Sequence, residues 1–283
     1  MEKLITSDEQ LRKYIPNVLD TVEGEVPLFD KLSPFLVQQQ MWLESEILGS
    51  DDLPVGSWLP VARRLIALRA FADAIPSLDI VLSPNGFAVV STSEMAPASK
   101  ERVERLVASL RSTSDECLCL LVDNLKVFRP WLETQNGIFF TGSLIRSLQD
   151  VKRWHRSDDL LATYDKVYGL ARQFEVESAN SYLGSALIHQ MISFAHNPNM
   201  SDDLGLECAV LLPLLRNAEN RWIDVHVRDQ KHKCPDTHEL WHLLSPVIDC
   251  IKRLPRIFRE IWGPEMGEAL EPFNNNIPGA YFF

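Results

Sequence analysis

The sequence predicts a mainly α protein: two tandem helical-bundle domains, each with a small β-hairpin, followed by an extended C-terminal tail. Three observations carry that prediction. Apolar residues recur at three-to-four spacing through most of the 283 residues. Strand signals are confined to one short stretch. The chain also repeats itself at shifts of 135 to 140 positions, and repeats of this kind determine how the rest is read.

The repeat is carried by three blocks in the same order. Leu4-Ile5-Thr6-Ser7 with Leu11, Lys13 and Tyr14 faces Leu144-Ile145-Arg146-Ser147 with Val151, Arg153 and Trp154. Phe29-Asp30-Lys31-Leu32 faces Tyr164-Asp165-Lys166-Val167, Gln38 faces Gln173, and Leu48-Gly49-Ser50 faces Leu183-Gly184-Ser185. Pro97-Ala98-Ser99-Lys100-Glu101 faces Pro235-Asp236-Thr237-His238-Glu239. Small changes of shift between blocks are what loop insertions produce. The domains implied are 1–135, 136–271 and an extended arm at 272–283.

Each copy reads as one series of elements. An apolar opening leads into a short helix at about 7–15 (147–155 in the second copy). A longer amphipathic helix follows and stops at Leu48-Gly49 or Leu183-Gly184, where glycine supplies the left-handed residue of a helix C-cap. In the second copy Leu160, Leu161, Tyr164, Val167, Leu170, Ala171, Phe174 and Ala179 make its apolar face. A third helix carries Val61, Leu65, Leu68, Phe71, Ala72 and Ile75 in one copy, and Leu206, Val210, Leu214, Leu215, Ala218 and Trp222 in the other. Asp79–Leu82 and Phe87–Val90 flank the turn quartet Ser83-Pro84-Asn85-Gly86, a hairpin signal. Ile223-Asp224-Val225-His226-Val227 is the candidate first arm of a second hairpin. A last helix opens at Ser99 or Thr237, both good N-caps. In the first copy it carries Val103, Leu106, Val107, Leu110, Cys117, Leu118, Leu121 and Leu125 on one face.

Composition narrows the function classes. Hydrophobic residues make up 46% and charged residues 24%, enough for a sizeable core and too apolar for disorder. The net charge of −11 argues against a protein whose main task is gripping nucleic-acid phosphates. By count, residues 1–135 hold 13 basic and 20 acidic side chains and the remainder 15 and 19, so neither half is a basic counterweight. No apolar run approaches membrane-spanning length, no signal-peptide core follows Met1-Glu2-Lys3, and five cysteines suit a reducing compartment better than a disulfide framework. The expectation is a soluble, intracellular product with no membrane partner.

The order of elements resembles the head–tail connector (adaptor) proteins of long-tailed double-stranded-DNA phages. Leu4-Ile5-Thr6-Ser7-Asp8-Glu9-Gln10-Leu11 with Tyr14-Ile15 is similar to that family's opening. Val176-Glu177 with Ser181-Tyr182-Leu183-Gly184 is similar to its second-helix end, and Leu43-Glu44 with Ile47-Leu48-Gly49 is a weaker copy. The stretch from Ala74-Ile75-Pro76 through Pro84-Asn85-Gly86-Phe87 to Ala96–Val103 also resembles uncharacterised proteins of Bacteroides-type phages and prophages. The resemblance implies a structural virion protein at the head–tail junction, made in the host cytoplasm, without enzymatic activity or cofactor. Its partners would be its own copies in a ring, the portal, tail or neck proteins, and passing duplex DNA held without sequence preference. The chain is about two connectors long, which departs from the family and fits the duplication.

A rival reading comes from His238-Glu239-Leu240-Trp241-His242. On a helix, histidines four apart share a face and can hold zinc while the glutamate polarises bound water, as in a zinc-dependent hydrolase. His226, His232 and Cys234 stand just upstream. Against this, Pro246 and Asp249 occupy the region where a third ligand is wanted. The duplication also aligns His238-Glu239 with Lys100-Glu101, which makes the glutamate a first-turn acid.

The remaining features weigh less. Cys117 and Cys119, two apart in a leucine run, read as core. Lys252, Arg253, Arg256 and Arg259 mark a basic edge that is solvated or meets an acidic partner. Most tryptophans read as packing, with Trp58 and Trp131 beside loops as candidate interface anchors. The interface residues singled out are Pro84, Asn85, Gly86 and Phe87 at the hairpin turn, and Tyr281, Phe282 and Phe283 in the arm. An arm with three aromatics has nothing local to bury them against and is expected to dock on a neighbouring subunit.

Overall fold

The computed structural model describes residues 3–15, 26–49, 53, 56–78, 80–83, 86–89, 99–156, 159–198, 201–227 and 237–266. They are mainly α-helical. No described helix is long and apolar enough to cross a membrane. The chain divides into two compact units, Met1–Phe140 with Ser147–Gln149, and Thr141–Arg146 with Asp150–Phe283.

The first unit opens with buried Leu4 and Ile5 and then α1 (Asp8–Arg12), whose N-cap Ser7 accepts the Gln10 N–H. Next comes α2 (Leu28–Leu43), which buries Leu32, Leu36, Gln39 and Leu43. It runs without a break into one π-helical turn, Glu44–Leu48, stopped by Gly49 at φ 64°. Then α3 (Trp58–Leu78) packs against α2 on one side and α4 (Lys100–Leu125) on the other. That double cover explains why Leu65, Ile66, Ala67, Leu68 and Ala70 are all buried. Between α3 and α4 the backbone of β1 (Ile80–Ser83) pairs antiparallel with β2 (Gly86–Val89), Ser83 opposite Gly86. Two short helices, α5 (Arg129–Leu132) and α6 (Gln135–Thr141), close the unit.

Two long-range side-chain bonds lock this unit. The Leu4 N–H donates to Gln40 Oε1 at 3.0 Å, and the indole of Trp131 donates to the Ile47 carbonyl at 2.8 Å. The second answers a local need. A π turn stopped by glycine leaves carbonyls without helical partners, and buried ones must find donors elsewhere. Asn136 serves the neighbouring Ser45 carbonyl at 2.7 Å.

The chain continues through α7 (Leu148–Val151), of which Leu148 and Gln149 belong to the first unit, to a 3-10 turn at Lys152–Trp154 and then α8 (Leu160–Ser178), capped by Asp159, in the second. Again the helix passes directly into a π turn, Ala179–Leu183, stopped by Gly184 at φ 78°. Here α9 (Ser185–His196) follows at once, and the Glu265 carboxylate accepts its Ala186 N–H. The remaining elements are α10 (Asp203–His226), α11 (Thr237–Ile251), a π segment at Ile257–Trp262 and α12 (Gly263–Met266). The Leu144 N–H donates to Glu175 Oε1 at 2.6 Å, and the Trp262 indole donates to the Tyr182 carbonyl at 3.2 Å.

Several expectations are corrected here. Ile223–Val227 is no strand: it ends α10, where Trp222 and Ile223 continue the buried helical face and no turn residue interrupts it. The apolar stripe of α10 is the expected one in its second half only. Leu215, Ala218 and Trp222 are buried as expected and are joined by Cys208 and Leu211, while Leu206, Val210 and Leu214 are 52%, 56% and 37% exposed. Trp58 and Trp131 are not surface anchors; both are buried, Trp131 with no exposed area. Burying an aromatic side chain of this size contributes roughly 3 kcal/mol.

Candidate functional site

The densest polar centre of the second unit surrounds Gly142–Ile145, an irregular segment that runs through the interior as a strap. Outside a helix or sheet, buried backbone groups need side-chain partners, and here almost every group has one. Arg172 donates to the Gly142 carbonyl (3.0 Å), and His196 Nε2 lies 2.8 Å from the Ser143 carbonyl. Glu175 accepts the Leu144 N–H, Arg216 donates twice to the Leu144 carbonyl (3.0 and 2.9 Å), and Ser143 Oγ accepts the Ile145 N–H. Three helices supply the clamp: α8 gives Arg172 and Glu175, α9 gives His196, and α10 gives Arg216, with Glu219 beside Glu175.

That clamp buries two carboxylates side by side. Glu175 has no exposed area and Glu219 only 2%. Arg172 bonds Glu175 Oε2 at 2.6 Å. Burial pushes the Glu175 carboxyl up to about 7, against the opposing pull of the Leu144 N–H and Arg172. Glu219 is raised well above the usual carboxylate range, by burial first and by the Glu175 charge second. Two adjacent carboxylates in a low dielectric cannot both ionise, so the pair holds one proton between them. Glu219 carries it and donates it to Glu175, while its own Oε1 has no hydrogen-bond partner among the described residues.

A cleft of about 700 Å³ opens at the end of this unit, where the 3-10 turn after α7, the first turns of α8 and the C-terminal end of α10 converge. Arg153, Trp154, Arg156, Thr163, Lys166 and Asp224 supply its polar lining. Asp224 is engaged on both oxygens, by Arg153 at 2.8 Å and by the Trp154 indole at 2.7 Å. The Arg153 guanidinium also lies 4.1 Å from the centre of the Trp154 ring.

The residues singled out from sequence do not come together. His238 and His242 lie on α11 as an edge-to-face pair with ring centres 4.5 Å apart, both exposed. No group of three or more potential metal ligands assembles among the described residues. Glu239 stands in the first turn of α11, and His226 bonds the Trp222 carbonyl through Nδ1. Gly86 and Phe87 are in β2. Pro84, Asn85, His232, Cys234, Tyr281, Phe282 and Phe283 lie outside the described residues. Cys117 and Cys119 are buried, and Arg256 of the basic edge pairs with Glu260 and Asp203.

Sequence reasoning missed the strap, because Glu175 and Glu219 stand 44 positions apart and no motif links them. It also missed the two tryptophans that serve the π-turn carbonyls. A signal for them exists in Phe128-Arg129 before Trp131 and Phe258-Arg259 before Trp262.

No curated protein and no solved structure matches the chain. A family model described as a family of unknown function (DUF6712) matches residues 15–137, so that the first half of the chain is similar to that family.

Proposed function

We infer that the chain is a tandem-duplicated structural protein of the phage head–tail connector type, assembling as a ring beneath the portal through which DNA passes. The observation that carries the duplication is a recurring set of bonds. Gln40 and Glu175, Ile47 and Tyr182, and Gly49 and Gly184 are each 135 positions apart. The first pair holds the opening leucine's N–H, the second offers its carbonyl to a tryptophan indole, and the third ends a π turn. Two bonds of different kinds and a glycine stop, recurring at one shift, support a common ancestor for the two segments.

The resemblance to connectors then gains support from where it falls. Its motifs, the Leu4-Ile5 opening and the Tyr182-Leu183-Gly184 end, are the pieces these bonds tie down. The conspicuous charged residues of the second unit's interior are occupied in holding backbone, which suits a protein that acts through its surfaces. An acidic ring would let a phosphate polymer slide by without adhering.

The test is assembly. Negative-stain microscopy and light scattering of the purified protein, alone and with a candidate portal, should give closed rings of uniform diameter. A monodisperse monomer under both conditions would overturn the reading.

A further inference from the structure

We propose that the cleft lined by Arg153, Trp154, Arg156 and Lys166 is a binding site for a small phosphate-bearing ligand with a flat apolar body, of the mononucleotide class. Its volume of about 700 Å³ is in the range of small-molecule sites. The charge of its lining runs against that of the whole molecule. Among the described residues, three cations line it with one carboxylate, in a chain whose net charge is −11.

That one carboxylate cannot neutralise the cleft. Both oxygens of Asp224 are spent on Arg153 and the Trp154 indole, and this holds the guanidinium and the ring in place before any ligand arrives. Arg156 forms no ion pair among the described residues, and Lys166 reaches only the Val227 carbonyl at 3.5 Å. Among the described residues, then, Arg156 and Lys166 line the same cleft as the fixed Arg153 with no carboxylate of their own. Fixed guanidinium together with mobile ammonium is the donor set that phosphate oxygens select.

The apolar part of the lining accounts for the body of the ligand. Ala162 and Val227 line the cleft with the Trp154 side chain, giving an apolar surface where a bare inorganic anion would gain nothing. The first-turn N–H groups of α8 do not contribute, because Asp159 already accepts those of Leu161 and Ala162. The site does not depend on ring assembly and would be present in an isolated chain.

The experiment is isothermal titration of the full chain with ADP, with inorganic pyrophosphate and with a short DNA duplex. ADP should bind one to one in the micromolar to low millimolar range, pyrophosphate at least about tenfold more weakly, and the duplex without saturation. The double variant Arg156→Ala/Lys166→Ala, which alters two exposed side chains, should lose about tenfold or more in ADP affinity with an unchanged melting curve. If that variant melts lower, Lys166→Glu alone is read instead. Absence of saturable ADP binding, equal affinity for pyrophosphate, saturable binding of the duplex, or ADP affinity unaffected by the variants would each overturn the proposal.

Discussion

Glu219 is the residue whose chemistry most constrains the second unit. Arg172, Arg216 and Asp150 act on the Glu175–Glu219 pair, and burial, with the pair adding to it, in turn raises Tyr164 and Tyr168. Both carboxyls are raised from an ordinary 4.5, so the folded chain keeps protons that the unfolded chain releases. Stability from this pair is therefore full below about pH 4.5 and declines as the pH climbs through 7 and beyond. The unfolding free energy from urea titration should fall between pH 5.5 and 8 by an amount on the order of 2–3 kcal/mol. Glu219→Gln keeps a donor toward Glu175 without a charge, and should flatten that fall while leaving acid-side stability close to the parent's. An equally steep decline in the variant would contradict the assignment. Arg216→Met should cost roughly 3 kcal/mol at any pH, because it strands the Leu144 carbonyl inside the unit. Hydrogen exchange should place that loss in α8 and α10.

The two π turns differ in how much they ask of their glycines. Gly49, at φ 64° and ψ 2°, is in the left-handed helical region, which asparagine also tolerates. Gly184, at φ 78° and ψ 151°, occupies a region essentially restricted to glycine, and a Cβ there would collide with the Glu265 carboxylate. Gly49→Asn should thus cost about 1 kcal/mol or less, and Gly184→Asn roughly 3 kcal/mol, compared by chemical denaturation. Both stops were legible from Leu48-Gly49 and Leu183-Gly184, as were the long helices, since periodicity and capping are local properties. The face of α10 was legible only in part. Leu215, Ala218 and Trp222 are buried as read, but Leu206, Val210 and Leu214 satisfy the helical period as well as Cys208 and Leu211 do, and only the packing of α8, α9 and α11 decides between them. Ile223–Val227 misled because its β-branched residues alternate, yet the buried Trp222-Ile223 pair gains more by prolonging the helix. The cleft was illegible for a related reason: Arg153, Lys166 and Asp224 come from three elements, and no local spacing announces their convergence.

At the scale of the whole chain, the first unit contains the entire segment that is similar to a known family, and the second repeats its bonding with different chemistry. Removing residues 272–283 should leave both units' melting unchanged and shift light-scattering mass toward smaller assemblies; an unchanged mass would show that the arm has no part in association. The strap gives this halving a further meaning. One unit ties down its opening leucine with the neutral amide of Gln40, the other with an acid that must share a proton. Raising the pH therefore works against the strap of the later lobe with no denaturant present, a load that the Gln40 amide cannot place on the earlier one.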